Sequence, residues 1–182
     1  MSLTTRLATF EDVPELQDLI ASSARRLSEG YYTYTQTEGA IKYVFGVDSQ
    51  LIEDGTYYAV ESENRLVACG GWSRRSTLFG GDQHKDMADP LLNPATDAAR
   101  IRAFFVHPDW VRQGIGKMLI NICEKAACQY GFTKMEIGAT LPGLPLYDAM
   151  GYHRVKKISV PLPGGEHFMV VNMKKDLNFL RT

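Results

Sequence analysis

The stretch from Arg100 to Thr140 limits the fold of this chain more than any other part of it. An apolar segment ends at Phe104-Phe105-Val106, Pro108 follows, and Gly114 and Gly116 lead into a run of helical period. Ile115, Met118, Leu119, Ile122 and Ala126 share one helical face. Lys117, Asn121, Glu124, Lys125 and Gln129 share the other, and Gly131 stands where a helix C′ glycine belongs. Lys134–Thr140 then reads as a short buried strand. Strand, helix, strand in that order predicts two parallel strands, ending at Val106 and Thr140, joined by a right-handed crossover through an Ile115–Tyr130 helix.

The junction before that helix also carries chemistry. The first amides of a helix have no intrahelical acceptor and stand at the positive end of its dipole. Glycine lets the backbone close on an anion, so Gly114–Gly116 marks a phosphate site. Two phosphate motifs fit poorly. A P-loop, G-x-x-x-x-G-K-[ST], finds Gly116-Lys117 but has Val111 for its first glycine and Met118 for its hydroxyl residue. A dinucleotide fingerprint, G-x-G-x-x-G, has Leu119 for its third glycine and too long a turn from Val106 to Gly114. Glu136 lies at the distance of a ribose-binding acid but within a strand pattern. The plain alternative is a glycine loop that only lets helix and strand pack closely.

A third motif fits at all but one position. Val111-Arg112-Gln113-Gly114-Ile115-Gly116, after Val106-His107-Pro108, resembles the acetyl-CoA site of the GNAT acetyltransferases, [QR]-x-x-G-x-[GA] after V-x-P. Val111 replaces the usual Gln or Arg. Downstream, Tyr147 and Gly151-Tyr152 resemble the family's short-helix pattern Y-x-x-x-G-[FY], with Pro145 suited to start that helix and Gly151 to stop it. His153–Val160 and Glu166–Met173, joined by Pro161-Leu162-Pro163-Gly164-Gly165, resemble its terminal hairpin.

The resemblance implies one GNAT-like domain over residues 1–182 with an α/β (α+β) fold: a mixed, mostly antiparallel twisted sheet of six or seven strands flanked by about four helices. It implies acetyl-CoA as cosubstrate, held at Val111, Arg112, Gln113, Gly114, Ile115, Gly116 and Lys117. The pantetheine would run along the backbone of Phe104, Phe105 and Val106, whose side chains also suit a core strand. A Cβ at Gly114 or Gly116 would intrude between the helix amides and the pyrophosphate. Direct attack by a small-molecule or peptide amine on the thioester is implied as well, with Tyr147 as general acid. A phenol of pKa ~10 is protonated at neutral pH and can donate to a thiolate whose thiol has pKa ~8.5; the plain alternative is a packed helix aromatic. The family's frequent glutamate has no counterpart in Arg100-Ile101-Arg102-Ala103. The base then comes from elsewhere, from a water chain, or is unnecessary for an acceptor of low pKa. A non-catalytic acyl-CoA-binding or sensor domain would share Gly114–Gly116 and lack the role of Tyr147. The resemblance also admits a homodimer.

The rest of the chain reads in the same direction. Thr4–Thr9 suits a strand, Thr9-x-x-Asp12 a capping box, and Val13, Leu16, Leu19, Ile20, Ala24 and Leu27 a helix face. Thr37–Phe45 suits a second helix, and Thr56–Glu61 and Leu66–Ser73 paired strands. Tyr31, Tyr32 and Tyr34 line an acceptor pocket or pack the two helices together. Arg74–Arg100 is a long link, either cover for the acceptor site or a surface insertion. Arg102 either faces the site, where it would suit a carboxylate, or forms a structural ion pair. A formal net charge of −1 argues against nucleic-acid binding by bulk charge. No apolar run is long enough for a membrane span, and no signal pattern opens the chain, so a cytoplasmic location is the expectation. Cys69, Cys123 and Cys128 have no metal spacing and read as reduced packing residues, and the four histidines are scattered, so no metal is expected.

Overall fold

The computed structural model describes residues 2–85 and 87–177; Met1, Asp86 and residues 178–182 of the expected domain lie outside the described residues. Seven strands form one sheet: β1 (Leu3–Leu7), β2 (Tyr57–Ser62), β3 (Arg65–Ser73), β4 (Ala99–Val106), β5 (Lys134–Thr140), β6 (His153–Pro161) and β7 (His167–Asp176). Their order is β1-β2-β3-β4-β5-β7-β6. Every neighbouring pair is antiparallel except β4 and β5, the parallel pair expected on either side of the crossover helix. Five α-helices are described: α1 (Val13–Leu27), α2 (Tyr34–Tyr43), α3 (Ser49–Glu53), α4 (Ile115–Tyr130) and α5 (Leu144–Ala149).

Alternation along the strands sends side chains to two faces. On one, Ile120, Cys123 and Ala127 of α4 and Leu144 and Tyr147 of α5 bury Met135, Ile137 and Ala139 of β5 with Val171 and Met173 of β7. On the other, Leu16, Leu19 and Ile20 of α1 bury Tyr57, Ala59 and Cys69. There Ala40 of α2 packs with Val160, Phe168 and Val170.

Two elements depart from the sequence expectation. The second helix starts at Tyr34 rather than Thr37, because Thr33 and Gln36 form a reciprocal capping box. The five-residue α3 has no counterpart in the expectation; Asp48 caps it by accepting from the Gln50 amide at 3.0 Å. A helix this short carries too few apolar positions for periodicity to reveal.

β4 is bent at its middle. Between the Cys69↔Phe105 and Gly71↔Arg102 pairs, β3 advances two residues while β4 advances three, so β4 holds a bulge. Ala103 adopts φ 51 there. The Tyr57 hydroxyl donates to the Ala103 carbonyl at 3.0 Å, which satisfies a group the ladder leaves free. The Phe104 ring lies over Gly70, where a Cβ would stand 2.5 Å from it. β4 and β5 pair only at Ala99↔Met135 and Arg100↔Glu136, and then part. An Arg100–Glu136 ion pair marks the last rung, and the Asn172 amide donates to the same carboxylate at 2.8 Å.

The link after β3 is folded rather than loose. Its outgoing and returning arms bond to each other, with the Ser76 amide on Pro90 O at 3.0 Å and the Leu92 amide on Arg74 O at 2.7 Å. Its tip docks on the chain between α2 and α3, with the Gly81 amide on Val44 O at 2.8 Å and the Asp82 amide on Val47 O at 3.0 Å. Arg102 of β4 takes the structural option. Its guanidinium bonds Asp48 at 2.9 Å and also the Gly80 carbonyl, with both side chains almost wholly buried. Lys85 completes the group by bonding Asp48 at 2.8 Å and Asp89 at 3.1 Å.

Replacing Asp48 by Ala strands the Arg102 charge in the interior, which should cost about 3–5 kcal/mol. Urea unfolding would show this as a lower midpoint with little change in slope. Exchanging both residues for apolar ones, Asp48→Leu with Arg102→Met, should recover much of the loss. A single variant within about 0.5 kcal/mol of wild type would show that the pair carries no such weight.

Candidate active site

The parting of β4 from β5 opens a cavity of about 760 Å³ that reaches both faces of the sheet. Phe104, Phe105 and Val106 form one wall, and Ile137, Gly138, Ala139 and Thr140 the other. Beyond Arg100 the edge of β4 turned to β5 has no strand partner, so its backbone polar groups are available to an extended ligand. The side chains on this wall are only partly buried. Phe104 also packs with the α4 core, and Phe105 meets Phe45 edge-on at 5.7 Å. The two sequence readings of this strand, backbone edge and packed side chains, therefore hold together.

The mouth of the cavity lies at the start of α4. Val111, Arg112, Gly114, Ile115, Gly116 and Lys117 line it. Arg112 at φ 61 and Gly114 at φ 82 are both left-handed, and together they turn the chain sharply into the helix. The amides of Arg112 through Lys117 donate to no other described residue. Six successive free amides at a helix N-terminus make a cradle for an anion. Gln113 is in the turn but not in the lining; its side-chain amide donates to Asp109 O at 3.4 Å.

The two glycines differ in what they permit. A Cβ at Gly114 would meet no protein atom within 4 Å, so that position needs glycine for its positive φ. A Cβ at Gly116 would stand 2.8 Å from Leu146 Cδ2 of α5. The protein around Gly114 leaves open space where an anion could stand, whereas Gly116 is also hemmed in by α5. Gly116 also lets α4 approach α5.

Tyr147 lines the cavity from α5 and is 4 % exposed. Its ring meets Tyr152 edge-on at 5.7 Å. Its hydroxyl bonds no other described residue. Burial pushes the phenol well above its ordinary range, so it stays protonated throughout the accessible pH range. Tyr152, by contrast, is tied down: its hydroxyl donates to Glu124 at 2.9 Å, and Lys175 bonds the same carboxylate at 2.8 Å.

On the opposite face of the sheet the cavity continues between α1, the α2–α3 connection and the folded link. Ala24, Leu27, Tyr31, Val44, Phe45 and Phe79 line it there. Of the three tyrosines singled out in the sequence, Tyr31 lines the cavity, while Tyr32 and Tyr34 do not. Tyr32 is a tie: its hydroxyl donates to Met169 O at 2.6 Å and accepts from the Leu141 amide at 2.9 Å. Tyr34 opens α2 and is largely exposed. Phe79 is a lining residue that the sequence reading misses. Its ring lies across β5 where Gly138 leaves room; a Cβ there would stand 3.0 Å from it. Gly138 inside a strand pattern is the available signal.

Among the described residues, no Asp, Glu or His lines the cavity. Glu136 is held by Arg100 and Asn172, outside it. Cys69 touches the bulge with Sγ 3.8 Å from Ala103 O, and burial pushes its thiol up to about 12, so it is not a nucleophile near neutral pH. Among the described residues, no cluster of His, Cys, Asp or Glu is placed to hold a metal.

This architecture recurs in solved structures. A GCN5-related N-acetyltransferase from Rhodopseudomonas palustris superposes with a TM-score of 0.72 at 19% identity, covering 97% of both chains. The PaiA N-acetyltransferase of Thermoplasma acidophilum, solved with coenzyme A, gives 0.67 at 14% identity over 97% of this chain and 99% of its own. YncA of Salmonella typhimurium, solved with its cofactor acetyl-CoA, gives 0.62 at 14% identity over 100% and 98%. At these identities the likeness is one of fold. No curated protein matches the chain. The family model for "Acetyltransferase (GNAT) family" matches residues 16–152, a span that holds most of α1, the bulged β4, the amide-rich turn and Tyr147. Sequence pattern and sheet geometry therefore agree on one assignment, and the chain belongs to the GNAT family of acetyltransferases.

Proposed function

We propose that this protein is an acetyl-CoA-dependent N-acetyltransferase in which an amine attacks the thioester directly. One observation carries the reading. The gap between β4 and β5 joins the free amides of Arg112–Lys117, the open edge of β4 and the Tyr147 ring in a single cavity. Structures of similar fold solved with coenzyme A and acetyl-CoA support it.

In this reading the pyrophosphate of acetyl-CoA sits on the amides of Arg112–Lys117, with the side chains of Arg112 and Lys117 beside it. The pantetheine amides pair with the free edge of Phe104–Val106, as an added strand would. The amine arrives from the α1 side. Its nitrogen forms a bond to the thioester carbon, the carbon–sulfur bond breaks, and Tyr147 gives its proton to the departing thiolate. The proton lost by the new amide nitrogen returns to Tyr147, so no net proton is exchanged when the amine enters neutral. The runner-up, a non-catalytic acyl-CoA sensor, gains from the missing carboxylate or imidazole in the cavity lining. Thiol release from acetyl-CoA with a panel of amines separates the two: coenzyme A binding without turnover on any amine would favour the sensor.

Tyr147→Phe keeps the ring and removes the donor. General-acid contributions are typically ~10²–10⁴-fold, and water can partly replace a hydroxyl, so kcat should fall at the low end, about 10²-fold. Coenzyme A affinity and Tm should hold, because the hydroxyl bonds no other described residue. An unchanged kcat, with chemistry limiting, would assign the ring to packing alone.

Gly114→Val forces a β-branched residue into φ 82. That strain, roughly 1–2 kcal/mol for an L residue, is relieved by moving the turn, and the free amides move with it. The coenzyme A Kd should rise about tenfold or more while the circular dichroism spectrum stays native. Wild-type affinity would remove the phosphate site from this turn.

Rising pH populates the neutral amine, while Tyr147, held above its usual range by burial, keeps its proton. Among the described residues, no carboxylate or imidazole lines the cavity. The kcat/KM profile should therefore rise with pH and bend at the pKa of whichever amine is used. A bend near pH 6–7 that stays put when the amine is changed would reveal a base on the protein.

A further inference from the structure

We infer that the acceptor is an amine carried on an aromatic or other apolar body and bound in its uncharged form. This rests on the acetyl-transfer reading above and adds the substrate class.

The acceptor half of the cavity is lined largely by apolar and aromatic side chains. Phe45 and Phe79 face into it from two different segments, with Leu27 and Val44 beside them. Both rings are fixed. Phe45 is held edge-on by Phe105 at 5.7 Å and Phe168 at 5.5 Å, and Phe79 stacks on His84 at 5.4 Å. Rigid aromatic walls bind flat apolar groups with little ordering cost.

Charge points the same way. Among the described residues, the only charged side chains in the whole lining are Arg112 and Lys117, both at the turn before α4 and in its first turn. The polar side chains elsewhere in the described lining are the hydroxyls of Ser23, Ser28, Tyr31, Thr140 and Tyr147. The ion cluster beside the acceptor wall cancels itself, since Arg102 and Lys85 stand against Asp48 and Asp89. Among the described residues, no carboxylate lines the cavity to receive a polyamine or lysine ammonium, and no cation lines that half to receive a carboxylate. Burying an uncompensated ammonium against these rings is costly, so the cavity favours the neutral amine. The same desolvation accounts for a site without a base. The proton is shed to water before the amine enters, or the lone pair is already weakly basic through an attached ring.

The test compares 2-phenylethylamine and aniline with spermidine and glutamate. Two readouts are taken: thiol release from acetyl-CoA, and calorimetric titration of each amine into enzyme saturated with coenzyme A. The expected result is a kcat/KM for the aromatic amines about tenfold or more above those for spermidine and glutamate, with the same order in binding. Phe79→Ala should raise KM for 2-phenylethylamine by about tenfold, more than it lowers kcat, and leave the acetyl-CoA Kd unchanged. Should that variant fail to fold, the wild-type order of binding still decides. Tighter binding or faster turnover of spermidine or glutamate overturns the inference. Aromatic amines that bind the coenzyme A complex in the expected order, without thiol release from any amine, leave the pocket assignment standing and sink the acetyl-transfer reading instead.

Discussion

The site depends on one extra residue in β4. A regular β4 would continue its parallel ladder along β5, as Ala99 and Arg100 begin to do. The bulge at Ala103 turns the strand, and the ladder stops. The strain of a positive φ at alanine is held by contacts that need this shape: the Tyr57 hydroxyl on the Ala103 carbonyl and the Phe104 ring over Gly70. The sheet is left with an open seam in its middle, where an extended ligand can pair with backbone and reach both faces.

Each side of the seam is then furnished by a different part of the chain. The crossover helix α4 delivers a turn of free amides at one mouth, since its first turn has no carbonyls to bond. Gly116 lets α5 close against it, and α5 brings Tyr147 to the wall. On the other face the link after β3 folds back and delivers Phe79. It stays there because its tip bonds the α2–α3 connection and because Arg102 holds the Gly80 carbonyl. A buried arginine beside the cavity invites a reading as a ligand anchor. Its bond to Asp48 makes it a strut instead, and the Lys85 and Asp89 contacts leave the cluster neutral.

That neutrality has a chemical consequence. In the proposed reading, an acceptor half lined by no charged side chain cannot take the amine's proton with a carboxylate or imidazole. It can only make the charged form unwelcome. In the proposed reading Tyr147 suits such a site, because burial keeps its proton in place near neutral pH.

The sequence by itself determined the parts that local chemistry encodes. Helical period and a C′ glycine marked α4, Gly114 and Gly116 marked its start, and the Tyr147 and Gly151-Tyr152 spacing marked α5. The strand pattern gave the seven-stranded order its ingredients, and the lone parallel pair came from a helix too long to be a hairpin. Three things only the tertiary structure decided. The bulge at Ala103 is a mismatch between two strands, so neither strand alone records it. The short α3 and the folded 74–98 link are fixed by bonds across the chain, Ser49 to Asp82 and Gly81 to Val44 among them, rather than by period. Finally, whether Arg102 faces a ligand or a partner depends on a carboxylate 54 residues away that only folding brings to 2.9 Å. Local pattern specifies elements through neighbours within a turn or two; a site made where two strands part is a property of chain segments that meet only after the fold is complete.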